Sequence, residues 1–109
     1  MKLIKTIIKP ERFEFVKKAL EEKGFVSMTT AEVRGRGEQK GISLEYRGGV
    51  MTVDMLPKIQ IEIVVPEKDA EAVIAIITES ARTGKIGDGK IFVIPVEKAI
   101  KVRTGAVDL

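Results

Sequence analysis

The stretch KIQIEIVVPE, residues 58–67, alternates apolar and polar residues and then reaches a proline and an acid. Successive side chains of a β-strand point to opposite faces, so the odd positions 59–65 are predicted to face a core and the even positions 58–64 to form a mixed polar face. Pro66 lacks the N–H that the first turn of a helix leaves unpaired, and Glu67 follows it. The stretch therefore predicts a strand with one covered face that leads directly into a helix.

The rest of the chain repeats this order. The apolar residues of the helix after Pro66 recur every three or four positions: Ala70, Val73, Ile74, Ile77 and Ala81. The N-terminal half has an apolar strand over residues 3–8, then Pro10, then a helical pattern that ends near Gly24. The core face of that first helix is marked by Phe13, Val16 and Leu20. The chain thus contains two similar strand-helix units.

Each unit adds a further strand, predicted over residues 25–33 and 91–96. The order β-α-β-β-α-β predicts an α+β, ferredoxin-like fold, with two helices on one face of a four-stranded antiparallel sheet. Helices leave the other face uncovered, and self-association is the expected cover. Residues 35–57 carry five glycines and charges of both signs. This segment is interpreted as a long functional loop, with a surface hairpin as the alternative.

Composition excludes several classes of function. The 109 residues include no His, Cys or Trp, so thiol or imidazole catalysis, disulfides and zinc-finger sites are ruled out. The apolar stretches are too short to cross a bilayer, and the start MKLIK lacks a signal segment, so direct membrane insertion is not expected and a cytoplasmic location is. The net charge is only +3, but residues 82–103 hold six basic and two acidic residues. This patch suits a small anion better than a nucleic acid, with a solvated basic face as the alternative.

Two glycine-rich segments remain, GRGEQKG at residues 35–41 and TGKIGDGKI at residues 83–91. The first fails the dinucleotide spacing, and no helix pattern follows it. The second contains Gly84-x4-Gly89-Lys90, but Ile91 replaces the Ser or Thr of a Walker A loop and the order is helix-loop-strand. Backbone N–H groups and Lys90 can still meet phosphate. Since no nucleophile has a base partner, the sequence predicts a binding and signalling protein and not an enzyme.

Four motifs together resemble the PII nitrogen-regulatory proteins of the GlnK type: Tyr46-Arg47-Gly48, Gly37-Glu38-Gln39-Lys40-Gly41, the block Thr83–Lys90, and Arg103-Thr104-Gly105. The resemblance spans nearly the whole chain. It implies one domain over residues 1–109, with a T-loop at about 37–55, a B-loop at about 82–90 and a C-terminal loop at about 97–109. It further implies a homotrimer that binds ATP or ADP between subunits and regulates an ammonium transporter or another nitrogen-assimilation target through the T-loop. An ammonium transporter would recruit it to the membrane.

The resemblance also implies roles for individual residues. Nucleotide contacts fall on Thr29, Gly37, Glu38, Gln39, Glu62, Val64, Gly87, Asp88, Gly89, Lys90, Lys101 and Arg103, with the last two arriving from a neighbouring subunit. 2-Oxoglutarate contacts fall on Gln39, Lys40, Gly41 and Lys58. Gln39 is the implied ligand of Mg²⁺ bound with ATP. Target contacts fall on Tyr46, Arg47 and Gly48.

The sequence departs from the family pattern at three positions. Met51 stands where many bacterial members carry a Tyr that is uridylylated, Glu38 where Arg is common, and Lys101 where Arg is frequent. Glu38 adds negative charge beside a site for two anions, which leaves open a trimeric nucleotide-binding regulator of another target without 2-oxoglutarate sensing. A metal-tolerance protein of the same fold is disfavoured by the lack of His and Cys, and an RNA-binding module by the few aromatic residues.

Overall fold

The computed structural model describes residues 1–37 and 42–108. Its elements follow in chain order: β1 (Lys2–Ile8), a 3₁₀ turn (Pro10–Arg12), α1 (Phe13–Glu22), β2 (Thr29–Gly35), β3 (Ile42–Tyr46), β4 (Gly49–Val53), β5 (Leu56–Val65), α2 (Glu67–Ala81) and β6 (Gly89–Pro95). β2, β5, β1 and β6 form one sheet in that order, and all its pairings are antiparallel. The predicted ferredoxin-like fold is confirmed.

The alternation read from residues 58–67 is confirmed in β5. Ile61, Ile63 and Val65 are buried in the core that the two helices cover. The predicted core faces of the helices are confirmed too, because Val16 and Leu20 of α1 are buried, as are four residues of α2: Ala70, Val73, Ile77 and Ala81. The other sheet face carries exposed apolar side chains on β5 and β6: Val64, Phe92 and Ile94.

The strand predicted from Phe25 begins only at Thr29, because Phe25 helps to end α1. Gly24 adopts φ 88°, its N–H donates to the Glu21 carbonyl at 3.0 Å, and the Phe25 N–H donates to the Leu20 carbonyl at 2.9 Å. This is a Schellman cap, which also brings an apolar residue against the last turn of the helix. Phe25 packs against the core in this position. Its N–H is therefore unavailable to the sheet.

Residues 42–53 form a hairpin of their own. β3 pairs with β4 in antiparallel register from Ile42–Val53 to Tyr46–Gly49, apart from the four-stranded sheet. The surface hairpin considered for residues 35–57 is thus present within this segment. Its two ends join β2 and β5, which are neighbours in the main sheet.

Candidate functional site

The glycine-rich segment at residues 82–90, the B-loop, connects α2 to β6. Gly84, Gly87 and Gly89 have φ values of 85°, 91° and 116°. Residues with a Cβ rarely adopt this left-handed region, so the path of the loop depends on glycine. Glycines also leave backbone N–H groups open to close approach by an anion.

Gly89 lies against β1. A Cβ at this position would come within 1.9 Å of the Ile7 carbonyl oxygen. Gly89 pairs with Ile8 as the first residue of β6. The B-loop is therefore anchored at the end of β1 by a contact that only glycine allows.

The Asp88 carboxylate closes the B-loop on itself. Its Oδ2 accepts the N–H groups of Thr83 at 2.8 Å and Gly84 at 2.9 Å, and its Oδ1 accepts the Thr83 hydroxyl. The Lys9 Nζ lies 3.3 Å from Oδ1. The Thr83 hydroxyl, the two amides and the Lys9 ammonium hold the pKa of Asp88 well below its usual range, although desolvation of the carboxyl acts in the opposite direction.

A cavity of about 510 Å³ opens beside the B-loop on the uncovered sheet face. Basic residues come to it from three parts of the chain: Arg36 after β2, Lys58 on β5, and Lys85 and Lys90 on the B-loop. Asp88 is the one acidic residue among the described residues that line the cavity. Its carboxylate is already engaged by the four donors named above, three hydrogen bonds and the Lys9 ammonium. Arg36 is paired with Asp54, its Nη1 3.1 Å from Oδ2, so Lys58, Lys85 and Lys90 supply the positive wall. Together with the glycine N–H groups, this wall suits phosphate or carboxylate groups.

Lys58 connects this cavity to the B-loop. Its Nζ donates to the Gly87 carbonyl at 3.0 Å, and the residue is only 9% exposed. Lys58 lies on the sheet face that the helices leave uncovered, and the B-loop covers it there. An anion that pairs with Lys58 would share this ammonium with the Gly87 carbonyl, which uses one of its three N–H donors.

The structure brings part of the predicted site together in this cavity. Its lining includes six of the residues named from the sequence: Gly37, Lys58, Gly87, Asp88, Gly89 and Lys90. The predicted residues Glu38, Gln39, Lys40 and Gly41 lie outside the described residues. Their roles, including the Mg²⁺ ligand, stay predictions. Among the described residues no group of three acidic side chains is placed to hold a metal ion.

The other predicted nucleotide residues lie elsewhere in the chain. Thr29 pairs directly with Glu62 across β2 and β5, and Val64 lies two residues further along the same face. Lys101 and Arg103 belong to a C-terminal turn that is closed by the Ile100–Val107 bridge. This turn follows the C-terminal end of β6, whereas Lys90 lies at its N-terminal end. In a single chain these two cations do not line the cavity.

The predicted target contacts lie at the tip of the hairpin. Tyr46 ends β3, and Arg47 and Gly48 form the turn to β4. All three are exposed. A basic side chain is thus presented at the tip of the hairpin.

Several residues around the cavity were not named from the sequence. Ile7, Phe92, Ile86, Arg36 and Lys85 also line it. Ile7 and Phe92 come from strands whose register the sequence does not show. Arg36 and Lys85 lie in the two glycine-rich segments, so their basic side chains could have indicated a place at an anion-binding cavity.

The comparisons with known proteins agree with this fold. The family model described as "Nitrogen regulatory protein P-II" matches residues 1–106. The chain is 52% identical over 105 residues to "Nitrogen regulatory protein P-II 2" of Methanothermobacter thermautotrophicus, covering 96% of this chain and 91% of that protein. It is 50% identical over 109 residues to "Nitrogen regulatory protein P-II" of Rhizobium meliloti, covering 100% and 97%. It is also 50% identical over 108 residues to "Nitrogen regulatory protein P-II 1" of Escherichia coli, covering 99% and 96%.

The chain belongs to the nitrogen regulatory protein P-II family. The printed names of these relatives do not separate the GlnK type from other P-II proteins. Neither helix in the described part of the chain has the length and apolar character needed to span a bilayer.

Proposed function

We propose that this P-II protein is a nitrogen and energy sensor of the GlnK type, which binds ATP or ADP and regulates an ammonium transporter without itself catalysing a reaction. The observation that carries this proposal is the cationic cavity beside the B-loop, whose acid, Asp88, already accepts hydrogen bonds from Thr83 and Gly84 and is paired with Lys9. Gly87, Gly89 and Lys90 would hold the phosphates, and a bound nucleotide would supply a fixed set of negative charges there.

A trimer is part of the proposal. Val64, Phe92 and Ile94 are 49%, 45% and 40% exposed on the uncovered sheet face, which is a large apolar area for a monomer to leave in water. Lys101 and Arg103 lie beyond the opposite end of β6 from Lys90. A neighbouring subunit would cover the apolar face and bring its two cations to the phosphates.

The transporter contact is assigned to the hairpin tip. Arg47 is exposed there, and Gly37, which lines the cavity, precedes the first residue of the hairpin, Ile42, by five positions in the chain. A ligand held at Gly37 and Lys58 would therefore bias where the hairpin begins, which is how nucleotide state would reach Arg47. MgATP with 2-oxoglutarate, held in part by Gln39 and Lys58, would release the transporter, and ADP would favour capture.

A second function is supported by one observation. The Lys58 ammonium donates one of its three N–H groups to Gly87, and the residue is only 9% exposed, so an acid must reach the remaining donors in a space that the B-loop covers. If the covered Lys58 ammonium cannot be reached by an acid, the protein is a nucleotide-dependent regulator of another target that does not sense 2-oxoglutarate. Titration of MgATP-loaded protein with 2-oxoglutarate separates the two functions, since only the first gives saturable binding.

Capture of a purified ammonium transporter tests the proposed function. The tagged chain is incubated with the transporter in detergent under ADP or under MgATP with millimolar 2-oxoglutarate. We expect capture under ADP, release under the second condition, and no capture by Arg47→Ala. Arg34→Ala, which removes an exposed arginine on β2, is the matched control and should bind as the unchanged chain does. Equal capture of the transporter under both conditions would refute the switch.

A further inference from the structure

We propose that Lys9, Thr83 and Asp88 are positioning residues that hold the B-loop in the conformation that receives phosphate. The three residues come from different places: Lys9 follows β1, Thr83 follows α2, and Asp88 precedes β6. The inference rests on the proposed nucleotide binding, but it assigns to Asp88 a role through the loop and not as a phosphate ligand.

The contacts of Asp88 are directed into the loop. Both of its carboxylate oxygens are engaged by the opposite end of the same loop, through the Thr83 N–H, the Gly84 N–H and the Thr83 hydroxyl. A carboxylate facing a phosphate would repel it, whereas a carboxylate saturated by donors can stand beside one. Asp88 therefore contributes a closed loop and not a contact to an anion.

Thr83 is the centre of the network. Its hydroxyl donates to Asp88 and accepts from the Lys9 Nζ at 3.3 Å and from the Lys85 N–H at 3.3 Å. One oxygen thus connects the end of β1, both ends of the B-loop and a backbone amide within it. The Lys9 and Asp88 side chains are 18% and 24% exposed, whereas Thr83 is exposed, so the network lies at the protein surface with its ion pair partly shielded from water.

The loop needs such a restraint because of its glycines. Gly84 and Gly87 both lie at positive φ, and glycine has no intrinsic preference for that region over others. A loop of this composition pays a large entropic cost when it is ordered by a ligand. If the network orders the loop beforehand, that cost is removed from phosphate binding.

Thr83→Val is the central test, because valine has the shape of threonine without the hydroxyl and changes no charge. The purified full chain is titrated calorimetrically with ATP and, separately, with adenosine, which has no phosphate. We expect the affinity for ATP to fall about tenfold, which corresponds to the loss of roughly one hydrogen bond to a charged group. The affinity for adenosine should stay unchanged within about twofold. Thr83→Ser, which restores the hydroxyl, should restore ATP binding. Amide hydrogen exchange of residues 84–89 in the ligand-free chain should be faster in Thr83→Val only.

Lys9→Met provides a second route to the same network, with Lys68→Met on the exposed face of α2 as the control for lost positive charge. We expect Lys9→Met to weaken ATP and spare adenosine, and Lys68→Met to change neither. Unchanged ATP affinity in Thr83→Val, or an equal loss for ATP and adenosine, would overturn the inference while the proposed function stands. Failure of the unchanged chain to bind ATP would instead overturn the proposed function, and the inference with it.

Discussion

Replacing Gly89 with alanine should destabilise the protein strongly, because two separate costs meet at this residue. Its φ of 116° lies where a residue with a Cβ is strained by about 1–3 kcal/mol. The new Cβ would also lie 1.9 Å from the Ile7 carbonyl oxygen, where real contacts stay beyond 3.0 Å. β6 must therefore move by roughly 1 Å from β1, which costs about 1 kcal/mol for each hydrogen bond lost at the end of the pairing. We expect a total of about 3–4 kcal/mol.

Gly24→Ala is the matched control, since Gly24 has φ 88° but its Cβ would meet nothing within 4 Å. It should show the backbone strain alone, about 1–2 kcal/mol. The free energy of unfolding is measured by urea denaturation of both variants at the same protein concentration, because the stability of the proposed trimer would depend on concentration. A loss for Gly89→Ala no larger than that for Gly24→Ala would refute the close contact of the B-loop with β1.

Three further predictions follow from single residues. Thr6 is fully buried and its Oγ1 has no hydrogen-bond partner in the described part of the chain, so Thr6→Val should raise the free energy of unfolding by about 1 kcal/mol in urea denaturation. Lys90→Ala should weaken ATP roughly ten- to a hundredfold in a calorimetric titration and leave the mass by light scattering unchanged. Folding lowers the pKa of Asp88, so its ionised carboxylate stabilises the folded protein. This stabilisation is complete above the pKa of the unfolded chain, about 3.9, and is lost as the pH falls through the pKa of the folded chain. The stability difference between the unchanged chain and Asp88→Asn should therefore narrow below about pH 4.

The main sheet and the helices could be predicted because hydrophobic periodicity reports directly which face is buried. The alternation in β5 and the Ala70-to-Ala81 face of α2 are patterns of this kind, and burial confirms both. The start of β2 was predicted wrongly at Phe25, because an apolar residue that caps a helix and packs on the core has the same composition as the start of a strand. The pattern of apolar residues does not show which backbone N–H groups already donate a hydrogen bond elsewhere.

The site was predictable in its glycines and lysines but not in its connections. The sequence indicates that Gly87, Gly89 and Lys90 can meet an anion. It does not indicate that Lys9 reaches Asp88, because that contact depends on the register that pairs Ile8 with Gly89. The sequence also does not predict that Lys58 is buried under Gly87. The alternation of β5 places Lys58 on the uncovered sheet face, and only the path of the B-loop covers it.

Calorimetric titration of the purified chain with ATP, with and without Mg²⁺ and 2-oxoglutarate, tests the central claim most directly. We expect saturable ATP binding with one site per chain, and binding of 2-oxoglutarate only when MgATP is present. Linkage then requires 2-oxoglutarate to tighten MgATP by the same factor. Absence of ATP binding at millimolar nucleotide would contradict the account.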